Sequence, residues 1–347
     1  MHKYDYSFLI NGSITYDVLN LATSIYQLKG SYEKRNKDLG QLFGELEKIA
    51  KIQSIRSSNE IEGIITSNER IKEIVNFSSA PVGHDEQEIA GYRDALNYIH
   101  LNYEYLNINE ETLLKLHEIM MSYTNYGYGG HYKNTDNLII EQDQEGNRSI
   151  RFKPVSAKDT PEAMNQLILA YNEAYSESRI NQLLLIPCFI LDFLCIHPFR
   201  DGNSRMSRLL SILLLYKNDF DVVKYISFEQ QINNYKGSYY EALKVSSDQW
   251  EINENSYIPF MKYFLYIVYL CFKEMDERLE IVESHKNKTL RIKETVLNSL
   301  VPISKKEISY ILLDVSPTTI EKVLGEMVKD GKIVKVGKGR NTKYIKS

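Results

Sequence analysis

The chain has 347 residues, 43% apolar and 25% charged, with a formal net charge of −4 at pH 7. This composition excludes a collagen-like, disordered or disulfide-stapled chain and is long enough for two or three domains with a sizeable core. No apolar run reaches the roughly 18 residues needed to span a bilayer, and the densest, residues 183–196, is interrupted by Pro187 and Asp192. The first residues show no long apolar core and no small-residue cleavage site, so no secretory signal is read and a cytoplasmic location is expected. Cys188, Cys195 and Cys271 sit in apolar surroundings without metal-type spacing, which fits buried thiols in a reducing compartment.

Charge is unevenly spread. Residues 285–347 hold 14 Lys and Arg against 6 Asp and Glu, a balance of +8, whereas the other 284 residues hold 28 against 40, a balance of −12. An acidic body with a small basic tail implies two jobs.

Residues 16–51 carry helical apolar spacing with few breakers. Further on, Glu62 stands just before Gly63, as in a last helical turn closed by a glycine cap. A carboxylate there opposes the helix dipole at a cost of about 0.3–1 kcal/mol, which solvent or a nearby cation relieves. Pro81-Val82-Gly83 marks a linker before a helix over 85–101, and an Asn before Glu110 and Glu111 opens another that runs to Met121. The glycine-rich stretch 126–130 breaks the helical pattern. It leads into two β-like runs, 137–141 and 149–152, around a Gly-containing loop at 143–147, a hairpin signal. Pro154 ends the hairpin, and Thr160-Pro161-Glu162 opens the next helix. Residues 183–196 are apolar on all sides except at Asp192, as expected of a helix at the centre of a domain. Helical pattern continues to about Lys273, and a Lys-rich stretch at 284–288 reads as a linker into the tail.

Directly after the buried helix comes His197-Pro198-Phe199-Arg200-Asp201-Gly202-Asn203-Ser204-Arg205, followed by Met206-Ser207-Arg208. Pro198 disfavours helix at His197, so the helix ends there. Asn203 or Ser204 can cap the next helix. Free N–H groups at that start, with Gly202 allowing close approach, make an anion site. Arg205 and Arg208, three apart, share a face near the same end. Asp201 is a hard oxygen ligand suited to Mg²⁺ carrying phosphates, and His197 has the unperturbed pKa of a general base near neutrality. A lone histidine after an apolar helix is usually a packed core residue, and a lone Asp-Gly is usually a turn. Here one short run supplies base, metal ligand, anion nest and two guanidiniums, the parts of phosphoryl or nucleotidyl transfer.

Residues 197–205 resemble the signature of the Fic family, His-Pro-Phe-x-Asp/Glu-Gly-Asn-Gly/Lys-Arg, and the likeness extends over residues 107–273. One position departs: Ser204 stands where the family usually has Gly or Lys, and a small capping residue implies a tuned anion nest. Gly202, where kinase-type Doc proteins have Ala, favours the nucleotidyl-transfer branch. The resemblance implies a protein adenylyltransferase that moves AMP from Mg-ATP onto a Tyr, Ser or Thr hydroxyl of a target protein and of itself. His197 deprotonates that hydroxyl and Asp201 holds Mg²⁺. Gly202, Asn203 and Ser204 bind phosphate oxygens, Arg205 and Arg208 take the β- and γ-phosphates, and Phe199 anchors the loop. Tyr239 and Tyr240 border the adenine pocket, although a bare tyrosine pair also serves as packing. The hairpin, with Leu138, Ile139, Ile140, Ile150 and Phe152, resembles the family's target-docking flap. Lys133 stands where an Arg is common.

Ser58, Glu62 and Gly63 resemble the Fic inhibitory motif Ser/Thr-x-x-x-Glu-Gly. The resemblance implies that Glu62 pairs with Arg208 and removes it from the γ-phosphate, and that the same Glu supports AMP removal in some members. The family often forms homodimers.

The expected architecture is mainly α. A helical N-terminal region (1–105) contains the inhibitory helix (about 45–63). It precedes a Fic-type helical core with a small β-hairpin flap (106–280) and a C-terminal winged helix-turn-helix domain (285–347). In the tail, residues 290–300 read as a first helix, Ser304 opens a second, and Ser316-Pro317 starts a third that Gly331 closes. Two strands around Lys338 and Arg340 form the wing. Thr318, Thr319 and Lys322 on the third helix, with Lys338, Arg340 and Lys343 on the wing, suit phosphate contacts with DNA. Two alternatives stand beside the enzyme. One is a DNA-binding regulator that uses the Fic core as a nucleotide sensor; the other is a Fic transferase with UTP, GTP or a phosphocholine carrier as donor. The intact His197 and Asp201 favour the enzyme.

Overall fold

A computed structural model describes residues 2–11, 14–35, 40–142, 148–283, 288–299 and 301–347. The expected hairpin loop at 143–147, most of the linker at 284–288 and the end of the first tail helix at Leu300 lie outside the described residues. Fourteen α-helices are found among the described residues. They are α1 Tyr16–Arg35, α2 Gly40–Ile61, α3 Asn68–Val75, α4 Gly83–Asn102, α5 Glu110–Met121, α6 Thr160–Ser176 and α7 Gln182–Ile196, then α8 Asn203–Lys217, α9 Phe228–Asn234, α10 Lys236–Ser247, α11 Ile258–Glu283, α12 Lys288–Leu297, α13 Lys305–Ile311 and α14 Pro317–Lys329. The hairpin pairs β1 (Ile139–Gln142) with β2 (Arg148–Phe152). A second antiparallel sheet has the order β3-β5-β4, from Ile303–Ser304, Lys343–Lys346 and Ile333–Val336. The fold is mainly helical with small antiparallel sheets, in agreement with the class read from the sequence. No helix among the described residues is long and apolar enough to cross a membrane.

The chain divides into two compact units, Met1–Tyr26 with Ala50–Cys271, and Gln27–Ile49 with Phe272–Ser347. In the first, α7 forms the centre: every residue from Leu183 to Ile196 is buried, and α6, α8 and α10 pack against it. Helices α4 and α5 meet backbone to backbone at Gly91, where a Cβ would lie 1.9 Å from the Met120 carbonyl oxygen. That close approach brings α4 to the start of α8.

Asp192 is the acidic residue of α7 and is fully buried. Its carboxylate accepts from Tyr6 Oη at 2.7 Å, Trp250 Nε1 at 2.7 Å and Tyr257 Oη at 2.9 Å. Burial raises its carboxyl to about 7 against the pull of those donors. His2 stacks flat on Trp250 at 4.1 Å and reaches to 3.7 Å of the carboxylate. Asp192→Asn is expected to cost about 1–3 kcal/mol, because one amide oxygen replaces two acceptors where three donors converge. Urea unfolding checks this: a lower midpoint at constant slope is expected, and an unchanged midpoint would show that the pocket does not need the carboxylate.

The second unit has its own core, in which Ile292, Val296, Ile308, Leu324, Met327 and Tyr344 are buried together. Helix α13 starts with a capping box: Ser304 Oγ accepts from the Glu307 N–H at 3.2 Å, and Glu307 Oε2 accepts from the Ser304 N–H at 2.6 Å. Ser316 caps α14 through the Thr319 N–H, with Pro317 following. Thr318, Lys322 and Lys338 are exposed, whereas Lys343 pairs with Glu307 at 3.4 Å.

Candidate active site

His197 terminates α7 in the left-handed region, at φ +52°, with its N–H on the Phe193 carbonyl at 2.9 Å. For a non-glycine residue that conformation must be held from outside. Lys133 does so. Its Nζ donates to the Ile196 carbonyl at 3.1 Å and to Asn137 Oδ1 at 3.0 Å, and its N–H donates to the Pro198 carbonyl at 2.8 Å. Burial draws the Lys133 ammonium down to about 8. The His197 imidazole is drawn down to about 4, first by burial and then by the Lys133 charge, so it is neutral at pH 7. Its Nδ1 is buried without a hydrogen-bond partner among the described residues.

The following turn is built on Phe199, which is fully buried. The His117 ring stacks on it at 3.7 Å and 9°. His117 Nδ1 accepts from the Gly130 N–H at 3.1 Å, which leaves Nε2–H to donate to the Asp201 carbonyl at 3.2 Å. This fixes a neutral tautomer, and burial lowers the imidazole to about 4.

Neither Asn203 nor Ser204 caps α8, contrary to expectation. Gly202 occupies the N-cap at φ +77°, its own N–H donates to Asp201 Oδ1 at 2.6 Å, and among the described residues no side chain caps the N–H groups that follow. Asn203 instead accepts from the Phe199 N–H at 2.9 Å and donates to the Phe199 carbonyl at 2.8 Å. Its amide closes the turn from below, and the start of α8 stays clear of a capping side chain, as an anion-binding helix end requires.

A cleft of about 360 Å³ opens above this turn. It is lined by His197, Arg200, Asp201, Gly202, Asn203, Ser204 and Arg205, joined by Glu62, Ile64 and Glu88. The expected base, metal ligand and anion turn therefore share one cavity. Arg208 is fully buried beside it. Its Nε donates to Ser58 Oγ at 2.8 Å, its Nη2 donates to the Ser58 carbonyl at 2.8 Å, and the same Nη2 lies 3.0 Å from Glu62 Oε1. Burial opposes the guanidinium's charge, but Glu62 and the Tyr239 and Tyr92 hydroxyls outweigh it and raise its pKa. Arg208 Nη1 is buried without a hydrogen-bond partner among the described residues.

Helix α2 ends at Ile61 in a Schellman turn, with Gly63 at φ +80°. The Gly63 N–H bonds the Glu60 carbonyl at 3.1 Å, and the Ile64 N–H bonds the Asn59 carbonyl at 3.0 Å. The cation facing the Glu62 carboxylate at this helix end is Arg208.

Tyr239 is buried, and its ring lies 5.3 Å from that of the half-buried Tyr240; neither lines the cleft. In the hairpin, Ile139 pairs with Phe152 and Ile140 with Ile150. Leu138, Ile140 and Ile150 are exposed and Phe152 is buried. Among the described residues, no cluster of three or more His, Cys, Asp or Glu could cage a metal ion. The exposed Asp201 carboxylate fits a cation that takes its remaining ligands from phosphates and water, as Mg²⁺ does.

Sequence reasoning missed Glu88 and His117 and gave Lys133 no role. None of the three carries a local signal, since each acts on a partner distant in the chain.

Residues 107–215 match the Fic/DOC family. No curated protein sequence matches the chain. Among solved structures, it is similar to a Fic family protein from Desulfovibrio desulfuricans G20, at TM-score 0.63 and 20% identity over 96% of this chain and 97% of that one. A Fic domain containing signaling protein from Bacteroides thetaiotaomicron VPI-5482 aligns at TM-score 0.62 and 19% identity, over 76% of this chain and 99% of that one. Fic-1 from C. elegans aligns at TM-score 0.58 and 16% identity, over 76% and 73%. Identities this low speak to the fold. The family match itself spans His197, Asp201, Arg205 and Arg208, and the chain therefore carries a Fic/DOC family domain over residues 107–215.

Proposed function

We propose that the protein is a self-restrained adenylyltransferase that moves AMP from Mg-ATP to a Tyr, Ser or Thr hydroxyl of a target protein and of itself. The observation that carries this reading is the occupation of Arg208 by Ser58 and Glu62 beside a cleft that already holds a neutral His197, Asp201 and an uncapped helix start. Fic domain proteins are typically nucleotide transferases, which supports the same class of reaction.

In this reading the His197 imidazole accepts the proton of the target hydroxyl. The hydroxyl oxygen bonds the α-phosphorus, the bond from that phosphorus to the bridging oxygen breaks, and pyrophosphate leaves with the electron pair. The N–H groups around Gly202, Asn203 and Ser204 hold phosphate oxygens, Arg205 meets the β-phosphate, and Arg208, once free of Glu62, meets the γ-phosphate. Asp201 would hold Mg²⁺ together with the phosphates, and the bound ion would supply neutralisation of the leaving group's charge. Tyr239 and Tyr240, which do not line the cleft, serve as packing in this reading, with Tyr239 set against Phe260 and Tyr263. The β1–β2 hairpin offers its edge to an extended target segment, with Leu138, Ile139, Ile140 and Ile150 as its apolar contacts; Phe152, expected among them, is buried beside Trp250 and anchors the hairpin instead. While Glu62 holds Arg208, the γ-phosphate lacks its guanidinium and ATP sits in a pose unsuited to transfer.

The test is incorporation of label from α-labelled ATP, UTP and GTP into the Glu62→Gly protein and into a cell extract. Incorporation from ATP alone is expected; label from UTP or GTP and none from ATP would move the donor. Gly202→Ala is expected to weaken ATP binding by roughly tenfold or more. A Cβ there is strained by the positive φ of the turn, and it lies 2.5 Å from Met120 Cε, a flexible side-chain end that must give way. Isothermal titration checks this, and unchanged affinity would remove the turn from the phosphate site.

A further inference from the structure

We infer that Glu88 is a positioning residue: it grips Arg205 by one nitrogen and so presents the other to the phosphate-binding turn at Gly202, which makes the site selective for nucleotides that carry a β-phosphate. This deepens the nucleotide-transfer reading and rests on it.

Glu88 lies on α4, outside the residues matched to the family, and is 4% exposed. Both of its oxygens are engaged. Oε2 lies 2.8 Å from Arg205 Nη1 in an ion pair whose side chains are 3% and 5% exposed. Oε1 lies 2.7 Å from His84 Nε2, one turn earlier on α4, and that nitrogen is 3.0 Å from the exposed Tyr126 Oη. Both contacts are ion pairs, and Arg205 Nη1 makes no hydrogen bond among the described residues, so the carboxylate places the guanidinium by charge and proximity. Burial raises its pKa, while the Arg205 and His84 charges oppose that rise.

The opposite side of Arg205 meets the turn. A Cβ built on Gly202 would be 3.8 Å from Arg205 Nη2. Nη1 therefore faces Glu88, and Nη2 lies at the turn whose N–H groups open α8. A guanidinium fixed in this way is a pre-aimed donor, with its rotamer freedom spent before ligand arrives. Glu62 differs: its side chain is 27% exposed, and it takes the guanidinium of Arg208 that a phosphate needs. One carboxylate masks an arginine while the other aims one.

The test uses the full chain with the Glu62→Gly substitution. Binding of Mg-ATP, Mg-ADP and AMP is measured by titration calorimetry for that protein and with Glu88→Gln, Arg205→Ala or both added. Glu88→Gln is expected to weaken ATP and ADP roughly tenfold and leave AMP unchanged. It is expected to add little once Arg205 is Ala, and Glu88→Asp should recover part of the loss. Equal weakening of ATP and AMP would mean a merely structural role, and unchanged or tighter ATP binding would mean a mask or no role; each overturns the proposal. Should Glu88→Gln fail to fold, His84→Ala loosens the other carboxylate oxygen from the exposed side. It is expected to give a smaller loss with the same ATP-against-AMP pattern, and no loss would overturn the proposal. Failure of the Glu62→Gly protein to bind any nucleotide would instead overturn the transfer reading itself.

Discussion

Glu62→Gly is expected to raise AMP incorporation by roughly 5- to 150-fold, the range of a coupling of 1–3 kcal/mol between an inhibitory contact and a ligand site. Glu62 Oε1 sits 3.0 Å from Arg208 Nη2. Removing that carboxylate leaves Arg208 tethered to Ser58 through Nε and Nη2, so the guanidinium keeps its place and loses its competitor. Nη1, without a hydrogen-bond partner among the described residues, adds a donor. A second consequence has the opposite sign. Arg208 is fully buried, and a buried cation deprived of its partner destabilises the fold. The substituted protein should therefore be more active and less stable, and Mg-ATP should restore part of the lost stability by mass action. Labelled-AMP incorporation and thermal melts with and without Mg-ATP check both halves. Equal incorporation by the two proteins would remove Glu62 from control of the reaction.

His197→Ala, introduced beside Glu62→Gly, is expected to lower transfer by about 10²–10⁴-fold, the usual contribution of a positioned general base. ATP binding should persist, because the phosphate turn is held by Asn203, Phe199 and His117 and not by the His197 ring. A pH profile gives an independent check. Burial and Lys133 lower the His197 imidazole to about 4, so its base form is present from neutrality down to that value and is lost below it. The acid limb of kcat/KM, which reports the free enzyme, is expected near 4 and not near the ordinary histidine value of about 6.5. An acid limb at the ordinary value would mean that the base is another group or that the ring is solvated.

The features legible in the sequence were those written into contiguous residues. The apolar run before His197 reads as a central helix because its burial is all-round, and α7 is buried along its length. Ser304 with Glu307, and Ser316 with Pro317, announce helix starts by local chemistry alone. The β1–β2 hairpin shows itself by two β-like runs around a Gly-containing stretch; its first strand starts two residues later and ends one later than expected, and its second starts one residue earlier. Glu62 needed more than local reading. A carboxylate at a helix end is ordinary, and its link to Arg208 came from resemblance to a known motif.

What stayed hidden depended on contacts between distant segments. The Glu88–Arg205 pair joins α4 to α8, and nothing in the residues around Glu88 distinguishes it from the neighbouring Glu86, which instead pairs with Arg70. The stacking of His117 on Phe199 is equally invisible from either side. Asp192 looked like an interruption of an apolar helix, and only the fold brings Tyr6, Trp250 and Tyr257 to it. Asn203 shows a different kind of miss. Its capping preference is real, but the Phe199 backbone offers the same amide both a donor and an acceptor, and that local competition prevails.

Intact-mass spectrometry after incubation with Mg-ATP tests the central claim most directly. The Glu62→Gly protein should gain the mass of AMP, the unsubstituted protein should gain much less, and the protein carrying both Glu62→Gly and His197→Ala should gain none. Adducts of equal extent in all three, or no adduct on the Glu62→Gly protein with or without a target-bearing extract, would contradict an adenylyltransferase built on His197 and held back by Glu62.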